Sequence, residues 1–535
     1  MFYDDQTGVE LIRTPSRWPM QETAVDKRKI GISTALSLVV ATAALLPLLG
    51  HKPLADWDEA IYAEIARELL GHSKATLMWH FQPWFEKPPL YMWLTAVFFS
   101  VFHVNEFWAR AVAAFSGIGL VGIVHGLLAR RRGLAAAWTS TAILLTTLGF
   151  LRACHLGEVD TLLTLGCYLA LWGIMRIRER TVGEGAEGAG WYLFWIGFAI
   201  AVMTKGAAAV VIPLSVLVLL VWERWPRRFF GRHFLLGALL FLALVLPWHL
   251  VMYREYGITF ICEYLGEQTL ARATTQLELH NNPPWFFIEV MLGFASPWVF
   301  VFPSAAWSSL RGDSSALAKP VSDEAKYYSD LRPFAVFALV VFTLFTISQT
   351  RLPRYIVPMY PAIALIAADG ITCWISAASA NKGRQRRWWT AGIAAAASFA
   401  LAVALTRGLR ERVTSQSTTS AVVHEDRGFL PLLRSEADLS VAPPVLLCQD
   451  GGWMQLPAAL FYLRKPVQQV WINDPPDSSG RAPRYYHAQS LADFVVAEPH
   501  LLLIPKRLAA ELPPGLKFVE LHEAGDLEIG MIATR

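Results

Sequence analysis

The sequence predicts a mainly helical protein that crosses a membrane many times and ends in a small α/β domain. Three observations predict it. First, 54% of the 535 residues are hydrophobic and only 17% are charged, below the quarter usual in soluble chains. Second, apolar runs long enough to span a bilayer, or nearly so, start near residues 30, 107, 134, 160, 191, 206, 233, 286, 333, 355 and 388. Third, the composition changes after Arg407. The stretches "PPVLLCQD", "PVQQVWI", "HLLLIP" and "LKFVELH" are short and β-rich, and "LPAALFYLRK" between the first two reads as a helix. Strand, helix, strand implies some parallel pairing.

The remaining composition narrows the function. The 21 tryptophans and 30 phenylalanines fit a chain whose aromatic rings sit at membrane interfaces. A net charge of +4 gives no reason to expect a nucleic-acid partner. The five cysteines, Cys154, Cys167, Cys262, Cys373 and Cys448, are widely spaced without a CxxC pair, so they read as small apolar residues rather than a disulfide or zinc framework. Gly451-Gly452 follows a predicted strand, but no GxGxxG accompanies it, and no nucleotide site is expected.

The elements follow in order. Residues 1–29 are polar and lack the apolar core of a signal peptide, so they read as a cytoplasmic tail. The run from Ile30 to Leu49 reads as a retained signal anchor. The segment Leu90–His103, "LYMWLTAVFFSVFH", has only about 14 residues and fits an interfacial helix better than a span. Charge tests that choice. If the segment does not cross, Lys27-Arg28-Lys29, Arg130-Arg131-Arg132, Arg176/Arg178/Arg180, Arg224/Arg227/Arg228/Arg232, Arg311/Lys319 and Lys382/Arg384/Arg386/Arg387 all fall on one side, as the positive-inside rule requires. The expected architecture is therefore about eleven spans, with the N-terminus inside and the C-terminus outside. Residues 30–406 form the membrane domain and 407–535 an outer α/β domain. Outside lie the loops of about 51–106 and 253–285 and the links near 152–159, 204–205 and 349–354.

The outer segments carry the chemistry. In "DWDEAIYAEIARELL", three carboxylates (Asp56, Asp58, Glu59) precede a helix with Ile61, Ile65 and Leu69 on one stripe, a pattern that lies flat on a membrane. Asp56 or Asp58 suits an N-cap, but one cap needs one carboxylate. Glu86-Lys87 precede Pro88-Pro89, which open the next helix. Glu158 and Asp160 stand at the outer start of an apolar run, where a carboxylate is either a cap or faces a wet cavity. Lys205, Arg351 and Arg354 are basic residues on the side that avoids them; each either snorkels or meets an anion. Glu267, Gln268, Arg272 and His280 sit in the second outer loop. Cations suit a phosphate-bearing lipid, and carboxylates suit a base or a divalent metal ion. Five separate places in the chain contribute to this one face.

The motifs "DEAIYAEIARELL", "WFEKPPLYMWL", "NEFWARAVAA", "EVDTLLTL", "MTKGAA", "GEQTLAR" and "RLPRYIVPMYPAIALI", in this order, resemble the bacterial lipid-linked glycosyltransferases of the GT-C fold. The similar groups are the aminoarabinose transferases that modify lipid A and the protein O-mannosyltransferase-like enzymes. The resemblance covers about residues 30–370. It implies transfer of a sugar from a polyprenyl-phosphate donor to lipid A, a protein or an envelope glycan, with inversion, at the outer face of the bacterial inner membrane. It implies Asp58 and Asp160 as catalytic carboxylates and Lys87, Lys205, Arg272 and Arg351 as donor-phosphate ligands. Tyr62, Tyr355 and Glu59 would line the substrate cavity, and Glu86 would be a metal ligand. No organic cofactor is implied. Two positions depart from the family pattern: Ile61 stands where it often has Arg, and Gln268 stands nearest to a metal-associated His. The rival reading is a transporter or flippase of phosphorylated lipid-linked sugars. Transporters show paired repeats and midplane sites, whereas this chain has no internal repeat and keeps its polar residues at one surface.

Overall fold

The computed structural model describes residues 27–55, 57–71, 75–79, 82–179, 187–223, 231–271, 282–311, 331–379, 445–449, 461, 467–471, 489–490, 500–524 and 527–534. The N-terminal tail, Asp56, Arg272, His280, the apolar run from 388, most of the helix expected in "LPAALFYLRK" and the 406/407 boundary lie outside them, as do the side chains of Glu267 and Gln268.

The membrane part is a bundle whose helices sort their ends onto two faces. Helix α1 is Lys27–Leu45, α2 Asp58–Glu68, α3 Leu90–Phe102 and α4 Glu106–Arg132. Then come α5 (Leu134–Thr146) and α6 (Leu148–His155), bent by 65° against each other. α7 (Asp160–Glu179), α8 (Glu187–Lys205), α9 (Val211–Glu223) and α10 (Arg232–Ile261) follow, and a π-helical turn, Cys262–Ala271, continues α10. The last four are α11 (Phe286–Phe294), α12 (Phe302–Arg311), α13 (Arg332–Ile347) and α14 (Met359–Ser379). Each apolar run read from the sequence within the described residues is helical, and the chain is a multi-pass membrane protein. At 13 residues, α3 is about 20 Å long, short of the roughly 30 Å hydrocarbon core.

Two ion pairs fix the path at α7–α9. Lys205, the last residue of α8, meets Asp160, the first of α7, at 2.6 Å. Glu223, the last of α9, meets Arg178 near the end of α7 at 2.7 Å. The apolar stretch 188–223 therefore doubles back near Lys205 instead of running straight. Gly206 makes the turn with φ 27°, and a Cβ there would lie 2.2 Å from the Tyr264 hydroxyl. On the way, α7 and α8 touch backbone to backbone: a Cβ on Gly166 would lie 2.7 Å from the Gly197 carbonyl oxygen, and one on Gly173 2.6 Å from that of Gly190. Small residues facing each other let membrane helices approach this closely.

The basic face also holds the Arg132–Asp369 pair, and Arg332 reaches Glu223 at 3.4 Å. The opposite face holds the loops after α1 and α6, the α8–α9 turn and the α13–α14 link. A cluster built on Tyr62, Ile65, Trp84, Tyr91 and Phe99 packs beneath these loops.

Helix α2 departs from the flat, half-exposed helix expected. Besides Tyr62 and Ile65, Glu59, Glu64 and Glu68 are buried. Protein encloses the helix: α3 and the antiparallel strands β1 (Met78–Trp79) and β2 (Gln82–Pro83) pack with it in one cluster, Trp84 and Tyr91 meet Tyr62 edge-on, and Arg110 and the Gly157 N–H close on Glu59. Glu64 survives burial by accepting two hydrogen bonds from Arg67, at 2.6 and 2.7 Å.

The C-terminal region carries a six-stranded mixed sheet in the order β5-β4-β3-β6-β8-β7. The strands are β3 (Val445–Gln449), β4 (Val467–Trp471), β5 (Gln489–Ser490), β6 (His500–Pro505), β7 (Leu516–Ala524) and β8 (Leu527–Thr534). β3 runs parallel to β4 and β6, and β8 pairs antiparallel with β6 and β7. Leu501, Leu503 and Phe461 join the cluster around Tyr62, with the Phe461 ring 6.2 Å from that of Phe99. The sheet region thus rests on α2 and α3.

Candidate active site

Four elements converge above the non-basic ends of the helices. Asp58 opens α2, Glu158 and Asp160 stand where α6 gives way to α7, Lys205 ends α8, and Arg354 and Tyr355 lie in a 3-10 turn, Pro353–Ile356. Arg354 donates to Asp58 Oδ2 at 2.8 Å and stands 3.9 Å from Glu158 Oε1. Lys205 Nζ donates to Asp160 Oδ1 at 2.6 Å and sits 5.1 Å above the Tyr355 ring. Asp160 is 2% exposed, and its Oδ2 has no hydrogen-bond partner among the described residues. A buried carboxylate oxygen without a donor costs free energy, so this atom is poised for a polar group brought by a ligand.

Local conformation explains Asp58. The cap residue of α2 is Trp57, at φ 71° with no side-chain cap bond. Such a conformation is strained for a bulky residue and clusters at functional sites. Asp58 is therefore not the cap that the sequence allowed, and its carboxylate goes to Arg354 instead.

The charges tune one another. Burial pushes the Glu158 carboxyl up to about 7; Asp160 and Asp58 push the same way, and Arg354 and Arg152 pull back. Burial would weaken the hold of Arg354 on its proton, but Asp58, Glu158, Tyr62 and Asp160 outweigh it and raise its pKa well above the ordinary value. Burial, and then the charge of Asp58, keeps the Tyr62 phenol protonated far beyond its usual range. Glu86 also acts on Tyr62, which places it near the group, with Lys87 Nζ 3.9 Å from its Oε2.

Two residues expected here do other work. Glu59 is 2% exposed and does not line a cavity. Its carboxylate accepts from Arg110 Nε at 2.7 Å and Nη2 at 3.0 Å, and from the backbone N–H of Ala55 at 2.6 Å and Gly157 at 2.7 Å. Arg351 does not present a phosphate-binding fork. Its Nη1 donates to the Asn282 carbonyl at 2.7 Å, and Nε and Nη2 donate to that of Thr346 at 3.1 and 3.0 Å. Three residues on, Arg354 is the arginine that reaches the carboxylates. Its signal in the sequence was shared with Arg351: a cation on the side that avoids them. Glu158 was legible beside Asp160 but carried no role.

Among the described residues, no three His, Cys, Asp or Glu side chains are grouped to hold a metal ion. Glu86 is thus not part of a ligand set there, and no step below passes through a metal.

The structure thus combines a bent-helix bundle, a charged site under its surface loops and a C-terminal sheet. Comparison with known proteins bears out the resemblance read from the motifs. Residues 86–250 match the family model for dolichyl-phosphate-mannose-protein mannosyltransferase. Over 353 residues the chain is 28% identical to the undecaprenyl phosphate-alpha-4-amino-4-deoxy-L-arabinose arabinosyl transferase of Shewanella sediminis, covering 65% of this chain and 61% of that one. The chain thus spans about three fifths of the length of that curated relative. The crystal structure of ArnT from Cupriavidus metallidurans bound to undecaprenyl phosphate superposes with a TM-score of 0.67 at 20% identity, covering 94% of this chain and 98% of that one. The oligosaccharyltransferase of Archaeoglobus fulgidus, crystallised with Zn and sulfate, gives 0.52 at 13% identity, covering 83% and 62%.

Proposed function

We propose that this chain is a glycosyltransferase that moves a sugar from a polyprenyl-phosphate-linked donor to a lipid, protein or glycan acceptor. The observation that carries the reading is the pairing of Asp58 with Arg354 and of Asp160 with Lys205 in one site under the surface loops. The relatives' names point to an undecaprenyl-phosphate aminoarabinose or a dolichyl-phosphate mannose donor. Eleven spans, with 1–29 inside and 407–535 as an outer domain, put this site and the C-terminal sheet at the outer face of a bacterial inner membrane. Among the described residues, five helices are long and apolar enough to cross a membrane, or six if the bent α5–α6 pair is one span, and the sorting of charge onto two faces supports the assigned sides.

The acceptor hydroxyl or amine attacks the anomeric carbon from the face opposite the phosphate, so a new bond to C1 forms with inversion. Its proton passes to Asp58, which Arg354 orients. The C1–O bond to the phosphate breaks, and the polyprenyl phosphate leaves with the bonding pair. The leaving phosphate needs charge stabilisation more than a proton, which Lys205 and Lys87 supply; Arg272 remains a candidate third cation. Asp160 Oδ2 accepts from a donor or acceptor polar group while Oδ1 holds Lys205. Tyr355, beside Lys205, walls the sugar, whereas Tyr62 is 1% exposed and packs against Trp84 and Tyr91. Glu158, with its carboxyl near neutrality, takes a proton onward from Asp58.

Asp58→Asn tests the reading. The purified variant, in membranes with undecaprenyl-phosphate aminoarabinose or dolichyl-phosphate mannose, is expected to lose sugar transfer while still folding and unfolding in a cooperative transition. Full activity overturns the assignment of Asp58. A wild-type protein that relocates donor across the bilayer without transfer would establish the flippase instead.

A further inference from the structure

Asp58 and Glu59 are adjacent yet serve opposite sides of the same helix start. So do Gly157 and Glu158 in the loop before α7. Together they close a ring. Glu59 Oε1 accepts from the Gly157 N–H at 2.7 Å, and one residue further on, Glu158 and Asp58 share Arg354. Arg110, on α4 and 4% exposed, is the inner anchor. Besides binding Glu59 through two nitrogens, it donates to the carbonyls of Leu49 and Lys52 at 2.8 and 2.7 Å through Nη1, and to that of Pro53 at 2.8 Å through Nη2. Glu59 also closes the turn that holds Trp57 at φ 71°, through the Ala55 N–H.

We propose that Glu59, held by Arg110, is a positioning residue: it fixes the loop that carries Asp58 against the loop that carries Glu158 and Asp160. This rests on the glycosyltransferase reading. Four acceptor contacts satisfy the buried carboxylate of Glu59, and none goes to the Asp58–Arg354 or Asp160–Lys205 pairs. Its influence on the reaction is therefore geometric. The fit at the junction is tight. A Cβ on Gly157 would stand 3.1 Å from Glu59 Cγ, 3.3 Å from Oε1 and 3.1 Å from the Ala109 carbonyl oxygen. Only a residue without a side chain lets the two loops approach this closely. Gly157→Ala therefore displaces the loops by tenths of an ångström while removing no charge and no hydrogen-bonding group.

Two variants of the full-length protein in nanodiscs test this, Glu59→Gln and Gly157→Ala. Two measurements are made: hydrogen exchange of the peptides containing Ala55 and Gly157, and kcat and KM with the donors above. Both variants are expected to exchange faster in these two peptides, with the peptides around Arg178 and Glu223 unchanged. Both are expected to lose kcat by about 10- to 100-fold, the scale set by a misplacement of an ångström or less, with KM within about threefold. A purely structural role would lower yield and unfolding temperature but leave kcat per folded molecule at the wild-type value, and that result overturns the proposal. So does unchanged exchange in both peptides. If the wild type turns over neither donor, the glycosyltransferase reading fails, and the exchange data alone decide whether Glu59 couples the loops.

Discussion

Replacing Arg354 with glutamine removes the cation shared by Asp58 and Glu158. At 2.8 Å from Asp58, the Coulomb attraction at an effective dielectric near 20 is about 6 kcal/mol before desolvation is subtracted. Stripping one partner from a buried pair costs about 3–5 kcal/mol. The side chains of Arg354, Asp58 and Glu158 are 26%, 23% and 18% exposed, so solvent screening favours the lower end, about 3 kcal/mol. The loss must depend on pH. Glu158 is raised from 4.5 to about 7 in the folded protein, so the native state holds its proton where the unfolded chain has released it. Its contribution to stability is thus fully present below about 4.5 and lost as pH rises through 7, a change of about 3 kcal/mol. Removing Arg354 takes away a group that pulls this pKa down, so the variant holds the proton to still higher pH. At pH 5.5 Glu158 is largely protonated in both proteins, and the variant mainly takes the Arg354 ion pair from Asp58. At pH 8.5 the wild type has released the Glu158 proton beside Arg354, whereas the variant either keeps it or bears a second negative charge near Asp58 without the cation. Unfolding temperatures of wild type and Arg354→Gln in detergent across this range should therefore separate more at pH 8.5 than at 5.5. An equal gap at both ends, or a larger one at pH 5.5, refutes the shared-cation account.

Two further outcomes follow from the fold. Arg351→Gln breaks the bonds to the Thr346 and Asn282 carbonyls and should lower the unfolding temperature through about 1–3 kcal/mol of lost satisfaction, while KM for the donor stays within about twofold; a large rise in KM alone would return Arg351 to the phosphate site. Gly166→Val drives a side chain into the α8 backbone, 2.7 Å from the Gly197 carbonyl, and should abolish accumulation of folded protein, whereas the same change at exposed Gly31, with nothing within 4 Å of its Cβ, should be tolerated; size-exclusion profiles of the two variants decide it.

Much of this architecture was legible in the sequence. Apolar runs, breaks and basic clusters are local properties, and bilayer physics acts on them directly. They placed the described helices, the short α3 among them, and gathered Asp58, Asp160 and Lys205 on one face. β-rich runs likewise marked β3, β4, β6 and β7. The enclosure of α2 was not legible. A stripe of Ile61, Ile65 and Leu69 looks the same whether the polar side meets water or other helices. Only the tertiary structure around it, Arg110 of α4 and the Gly157 loop among its parts, buries Glu59, Glu64 and Glu68.

The sequence by itself marked which residues have the chemistry for a site and grouped them at one end of the helices; the tertiary structure decided which of them face one another. Successive residues of a helix point about 100° apart, so Asp58 turns to Arg354 and Glu59 to Arg110 although their side chains carry the same charge. In the α13–α14 link, the same distinction separates Arg351, held by backbone carbonyls, from Arg354, held by carboxylates. Apart from Thr346, five residues before Arg351, the partners that make these choices are distant in the chain, as Arg110 is from Glu59 by 51 residues and Asn282 from Arg351 by 69, and no local pattern records them.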